Sequence, residues 1–363
     1  MIHLVGRATD AVFSFLGPAT AALADAGVAQ TVVLFDDPRD AHLFPRFHHS
    51  VELLLMPFDR SPMRRWRQAL ATFRASLDRG PVRAVHLHGL LPCLFGARAA
   101  SASGPEVPVF FSPHGSKLLG PQRAAGTVLL WLFRPLGGPW RQQAIASVGA
   151  DARRLTAVTR QSVELLESPV SAAFFQAERA EAERPLVVTG SRTQDPASAE
   201  LFARMAVLLG DGERGLDFHW IGTVDPESAA RLKAAEVSVF DETSDTGRAH
   251  RLAAGWVFLA PGGGLGFPVF LAEAMAAGLP CVAIDTPYHR DLIRDGDTGY
   301  LCGTEEDALD RIAQLVDSAP QRHQFGASAR AEAQRRFSDV KFRGSLLSLY
   351  RRVLPGGNPS VEP

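Results

Sequence analysis

Short apolar runs alternate along the chain with longer segments in which apolar residues recur every third or fourth position. The runs 2–5, 31–35, 51–56, 82–87, 107–111 and 155–158 predict buried strands, several of them rich in β-branched and aromatic side chains. Between them, 16–26 predicts a helix stopped by Gly27. Ser61-Pro62 predicts the start of another, with Ser as N-cap and Pro in the first turn. Met63, Trp66, Leu70, Phe73 and Leu77 then form one stripe, which Asp78-Arg79-Gly80 ends. A second unit is expected from Ser168-Pro169 onward, with strands at 186–188, 218–221, 256–259 and 281–284 and helices at 199–209 and 268–277. The charged, alanine-rich stretch 178–184 reads as a solvated connection. Strand–helix alternation in both halves predicts an α/β chain built from parallel, doubly wound sheets.

The length of 363 residues agrees, since single cores usually split beyond roughly 250–300 residues. We expect an N-terminal Rossmann-like domain at 1–168 and a C-terminal one at 169–337. A helix at about 338–354 should pack back on the first, and a frayed tail should follow at 355–363. Apolar residues make up 46% and charged residues 21%, which excludes disorder, collagen and coiled coil as the main architecture. Three cysteines without a CxxC argue against a disulfide scaffold or a cysteine-based zinc site. The start lacks a basic n-region, so a cytoplasmic protein is expected. The apolar run 127–133 is far shorter than the ~20 residues that span a bilayer.

Charge is uneven. Residues 1–168 carry 18 Lys and Arg against 12 Asp and Glu, and residues 169–363 carry 20 against 27. A basic first half favours an anionic surface. Arg64, Arg65, Arg67 and Arg74 beside the 63–77 stripe point to peripheral contact with an anionic membrane, at its inner face. No RNP-like or zinc-finger pattern is present, and the isoelectric point is near 6.8, so nucleic acid is not an expected partner.

The most informative stretch is 261–278, a glycine-rich loop running from a strand straight into a helix. Loop amides at a helix N-terminus suit a phosphate. Glu273 lies on an otherwise apolar helix, where a carboxylate needs a partner. A ribose diol is one candidate, and a solvated helix face is the alternative. In the first half, His86 and His88 alternate at a strand end, where open α/β sheets place ligands, so both share one sheet face. His114 follows a strand and precedes Gly115. Gly6-Arg7 follows the first strand but without a GxGxxG, which disfavours a dinucleotide cofactor. His48-His49 read as surface loop, and the spacing offers no third ligand for a zinc site. Asp36-Asp37 reads as a strand end and Asp295-Gly296-Asp297 as a turn, so no metal is expected.

Gly266-Phe267, then Leu271-Ala272-Glu273-Ala274-Met275-Ala276-Ala277-Gly278-Leu279-Pro280, resembles the donor-site signature of GT-B glycosyltransferases of family 4, the glycosyl transferases group 1. Arg290-Asp291-Leu292-Ile293, the run 295–301, Gly190-Ser191-Arg192, and 218–222 are similar to the same family. So, in the first half, are 85–89 and 112–115. The resemblance implies two Rossmann-like domains facing across a cleft. It also implies sugar transfer, with retention, from a nucleotide sugar to a glycan or lipid-linked acceptor, in cell-surface polysaccharide or glycoconjugate synthesis. The nucleotide sugar would be a substrate, and no cofactor is implied. By the same resemblance Glu273 binds ribose, while Arg192 and the loop Gly263, Gly264, Leu265, Gly266 and Phe267 hold the donor. His114 is the catalytic position lining the sugar site. Gly6, Arg7 and His88, by their place at strand ends, are the candidates for the acceptor side or cleft. Two positions depart from the pattern. Leu265 stands where the first of two glutamates is usual, and Gln194 or its neighbours stand where a lysine is usual. A degenerate relative that binds a nucleotide or glycan, or acts as a scaffold, is therefore the alternative, and a nucleotide-sugar epimerase a weaker one.

Overall fold

The computed structural model describes residues 1–7, 9–89, 91–93, 96, 107–114, 142–160, 162–192, 195–210, 212, 214–242, 244–262 and 266–353. They fall into two compact units, Met1–Ser168 with the C-terminal helix from Phe342, and Pro169–Lys341.

The N-terminal unit is built on seven strands: β1 (Ile2–Val5), β2 (Gln30–Asp36), β3 (Val51–Pro57), β4 (Val85–His88), β5 (Val109–Ser112), β6 (Gln142–Ala146) and β7 (Val163–Leu165). Their order is β3-β2-β1-β4-β5-β6-β7, with every pairing parallel. The chain winds outward from β1 and then reverses, which puts a topological switch point between β1 and β4. On one face, Ala69, Phe73 and Leu77 of helix α2 (Pro62–Leu77) pack with Leu4, Val33 and Leu87. Met63, at the start of the predicted stripe, is exposed instead. On the other face, Phe15, Ala19 and Leu23 of α1 (Asp10–Asp25) meet Phe110 and the C-terminal helix (Asp339–Val353) through Phe342, Leu346 and Tyr350.

Several local expectations change. Helix α1 starts at Asp10 rather than at residue 16, with Thr9 as N-cap accepting the Val12 N–H at 3.4 Å. Pro18 lies inside the helix, and burial of Phe13, Phe15 and Leu16 carries the helix through it. Ser61 occupies the N-cap of α2 but makes no side-chain cap bond. Asp59 Oδ1 accepts the Ser61 N–H at 2.7 Å instead. Residues 155–158 are not a strand but part of helix α3 (Gly149–Thr159), which carries Asp151 in its first turn. Leu155 supplies the buried contact that mimicked a strand signal. The run 127–133 and the tail 355–363 lie outside the described residues.

The C-terminal unit has six strands: β8 (Leu186–Ser191), β9 (Asp217–Gly222), β10 (Ser238–Phe240), β11 (Val257–Ala260), β12 (Cys281–Ile284) and β13 (Gly299–Cys302). Their order, β10-β9-β8-β11-β12-β13, repeats the winding, with its switch point between β8 and β11. The helices are α4 (Ala172–Gln176), α5 (Pro196–Gly210), α6 (Pro226–Ala234), α7 (Asp245–Ala253), α8 (Val269–Ala276), α9 (Glu305–Asp317) and α10 (Ala319–Phe337). Phe202, Phe218, Trp220, Leu259 and Ile312 lie in the core between sheet and helices. Gly222, at φ +99°, lets β9 turn where a Cβ would sit 2.3 Å from the Ser191 carbonyl oxygen. The stretch 178–184 is more than a solvated connection. Arg179 donates to the Gly255 carbonyl at 2.6 Å, and Glu181 pairs with Arg322 at 3.0 Å. Among the described residues no helix is long and apolar enough to cross a membrane.

Candidate active site

Helix α8 is apolar on every side, and Phe270 through Ala276 are buried. Glu273 therefore projects into the interior, only 1% exposed, and the solvated-face reading does not hold. Two guanidinium groups meet it. Arg192, just beyond β8, donates to Glu273 Oε1. Arg248, from α7, reaches the same oxygen at 3.2 Å and Asp245 at 2.5 Å. Asp245 also lies 3.7 Å from Arg192, so the formal charges of the four side chains cancel. The Arg248 guanidinium sits over the rings of Phe174 and Phe270, at 5.7 and 5.8 Å. A carboxyl group buried this deeply needs such hydrogen-bonded partners. Both arginines use Oε1; Oε2 is buried and, among the described residues, has no hydrogen-bond partner.

Arg192, expected from the resemblance to hold the donor, has its guanidinium on Glu273. Arg248 was missed. Its signal was present as an Asp245–Arg248 pair at helical spacing, facing a helix whose single carboxylate needed a cation. Gly262 and Gly266 both have positive φ, +86° and +89°, as a tight loop before a helix requires. Phe267 packs edge-on against Phe337, with ring centroids 5.3 Å apart. Gly263, Gly264, Leu265, Gln194 and Gly115 lie outside the described residues.

In the N-terminal unit His86 and His88 share a face as predicted, with ring centroids 3.8 Å apart. A third histidine joins them. His3 of β1 is the register partner of His86, and its Nδ1 lies 3.1 Å from His88 Nε2. The spacing along one strand could not show this, because His3 arrives through sheet pairing. His88 Nδ1 is in turn 3.0 Å from Nε2 of His114, which stands just past β5 at φ +50°. His3 Nε2 meets Gln30 Oε1 at 3.2 Å, and His86 bonds Tyr350 Oη at 2.6 Å and Ser112 Oγ at 2.9 Å. Burial pushes His3 and His114 down to about 3 and His86 and His88 well below the usual imidazole value, so all four are neutral at pH 7. His3, His86 and His88 lie close enough together to surround a cation. All six of their ring nitrogens, however, are already committed to hydrogen bonds.

Beside this cluster a cavity of about 360 Å³ opens at the switch point, lined by Gly6, Arg7, Phe58, Trp66, His88 and Pro92 among others. Arg7 is held by Asp40 in a two-pronged contact at 2.9 and 3.1 Å. The hydrogen bond from Arg39 holds the Asp37 carboxyl at about 2. Asp37 is thus a buried partner for arginines beyond the strand end. His48 and His49 lie near the surface with ring centroids 4.1 Å apart and planes tilted by 35°, and Asp295 caps its turn by accepting the Leu301 N–H at 2.9 Å.

The chain matches the Glycosyltransferase Family 4 family over residues 19–173 and Glycosyl transferases group 1 over 223–332. It is 33% identical over 120 residues to a phosphatidyl-myo-inositol mannosyltransferase of Mycobacterium leprae, covering 32% of either chain. It is 32% identical over 90 residues to an N-acetyl-alpha-D-glucosaminyl L-malate synthase of Bacillus anthracis, covering 24% of either chain. These matches span a third or less of those relatives' length. The crystal structure of Anabaena HepE in complex with UDP and glucose superposes with a TM-score of 0.77 at 14% identity, over 97% of this chain and 100% of that one. Two matched segments and one shared architecture make this chain a GT-B protein of the group 1 and family 4 glycosyltransferase type.

Proposed function

We propose that the protein is a glycosyltransferase that takes a sugar from a nucleoside diphosphate sugar and passes it to a hydroxyl of a glycan or lipid-linked acceptor, with retention. The observation that carries this reading is Glu273, buried at the switch point of the C-terminal sheet, whose Oε2 has no hydrogen-bond partner among the described residues. A ribose diol would donate to that oxygen while Arg192 and Arg248 hold the carboxylate in place through Oε1. Amides of the loop before α8 would face the diphosphate, whose departure they stabilise as negative charge develops. His114 would accept from a sugar hydroxyl, and the cavity beside Trp66 and His88 would take the acceptor. HepE was crystallised with UDP and glucose, and the mycobacterial relative is named for a lipid acceptor, which supports both substrate classes. We further propose that the reaction needs no cofactor, and that exposed Met63, Arg64, Arg67 and Arg74 on α2 touch an anionic membrane at its cytoplasmic face.

The departures at Leu265 and after Arg192, together with the engagement of Arg192 by Glu273, favour a second reading, a nucleotide-binding relative without turnover. Calorimetry with UDP, GDP and ADP, followed by transfer and hydrolysis assays on matching nucleotide sugars with and without EDTA, separates the two. The enzyme reading expects binding and EDTA-resistant turnover. Binding without turnover supports the relative, and no binding of any of the three removes both. Salt-sensitive co-sedimentation with anionic vesicles tests the membrane contact.

A further inference from the structure

The proposed reaction uses His114, and behind it His88 and His3 are joined to it by hydrogen bonds. Their hydrogen bonds form a directed chain whose direction is fixed at its far end. Gln30 Nε2 lies 2.8 Å from the carbonyl oxygen of Thr20. A carbonyl only accepts, so the amide nitrogen must face it. The reverse orientation would set two acceptors against each other. Gln30 Oε1 therefore faces His3 Nε2, at 3.2 Å, and that nitrogen carries the proton.

A neutral imidazole has one proton, so His3 Nδ1 is bare and accepts from His88 Nε2 at 3.1 Å. The same rule leaves His88 Nδ1 bare, accepting from His114 Nε2 at 3.0 Å. His114 has then used its only proton. Its Nδ1 presents a lone pair and, among the described residues, has no hydrogen-bond partner. The His88 and His114 rings are parallel to within 8°, and His86, held by Tyr350 and Ser112, packs against His88. His114 itself stands in a left-handed backbone conformation rarely adopted by residues other than glycine.

We propose that Gln30 is a positioning residue which, through His3 and His88, fixes the tautomer of His114 so that Nδ1 accepts a hydrogen bond from a substrate hydroxyl. The hydroxyl ligand rests on the glycosyl-transfer reading, but the tautomer does not. A chain of opposite polarity would offer an N–H at this position and favour a phosphate or carbonyl oxygen. The observed one favours an alcohol.

The test is long-range proton–nitrogen NMR on the ligand-free full chain labelled at histidine, in wild type, Gln30→Met and Gln30→Glu. Wild type should show the proton on Nε2 of His3, His88 and His114. Gln30→Met, which removes the acceptor but keeps the volume, should give His114 a mixture of tautomers. In any sugar transfer measured, kcat should drop about 5–10-fold, the scale of one neutral hydrogen bond, with KM for the nucleotide sugar unchanged. Gln30→Glu should keep the single tautomer. Its buried carboxyl is protonated, donates to Thr20 and accepts from His3. A wild-type His114 protonated on Nδ1, or a Gln30→Met spectrum identical to wild type, overturns the proposal. The wild-type spectrum decides even where the variants fail to fold. Correct tautomers in a protein that transfers no sugar would remove the functional reading and leave the relay standing.

Discussion

Along β1 and β4 and just past β5 the N-terminal unit gathers four imidazoles that bear no charge. At the ends of β8 and β11 the C-terminal unit buries a carboxylate between two guanidinium groups. The two sheets share one winding order, and both place their polar groups at the switch point. A neutral chain escapes the charge-burial penalty and has a direction, but it is vulnerable to protons. An ion cluster has no such direction and holds well only while every partner is present.

The largest effect should come from breaking the ion cluster. Glu273→Leu leaves the buried Arg248 without one of its carboxylate partners and, with Asp245 still in place, should destabilise the C-terminal unit by about 3–5 kcal/mol. Urea unfolding followed by hydrogen exchange in β8 and β11 measures it, and a loss under about 1 kcal/mol would show that the cluster is not structural.

Acid should strike the other unit harder. The four histidines have folded pKa values below their unfolded value near 6.5, so the unfolded chain binds more protons between the two values. Stability is therefore full above about 6.5 and falls as pH drops beneath it. Going from pH 6.5 to 5.5 should cost about 1 kcal/mol for each histidine that stays neutral. Of the C-terminal histidines, His219 and His289 are also lowered by burial, so that unit should lose less. Exchange protection of β1 and β4 compared with β8 and β11 at the two pH values is the measurement. Equal losses would erase the contrast.

Smaller changes sharpen the comparison. Tyr350→Phe strands His86 Nδ1 in the interior and should lower stability by about 1–3 kcal/mol in thermal unfolding, at the N-terminal unit alone. Arg7→Ala removes a half-exposed partner of Asp40 and should change the same midpoint by less than about 1 kcal/mol. A larger loss there would mean that the ion pairs beside the cavity carry weight comparable to the histidines.

Features confined to one element were legible in the sequence. The glycine loop entering a helix, Glu273 on an apolar segment and the alternation of His86 with His88 all depend on spacing along a single stretch. Partners that arrive through sheet order were not. His3 reaches His86 because β1 pairs with β4, and Gln30 reaches His3 because β2 flanks β1. Arg248 lies 25 positions before the carboxylate that it meets. The strand expected at 155–158 failed for a related reason, since a short apolar run looks alike in a buried helix and a buried strand.

The C-terminal helix ties the first unit to the order of synthesis. Phe342, Leu346 and Tyr350 complete the face formed by Phe15, Ala19 and Phe110, and Tyr350 satisfies His86. On the ribosome, the strands from β1 to β7 emerge early but must wait with that face open until residue 350 has left the exit tunnel. The second unit, made later, has all its strands and helices in hand before then. The domain begun first is thus finished last, and until then its half-covered apolar surface is the part of the nascent chain most in need of a chaperone.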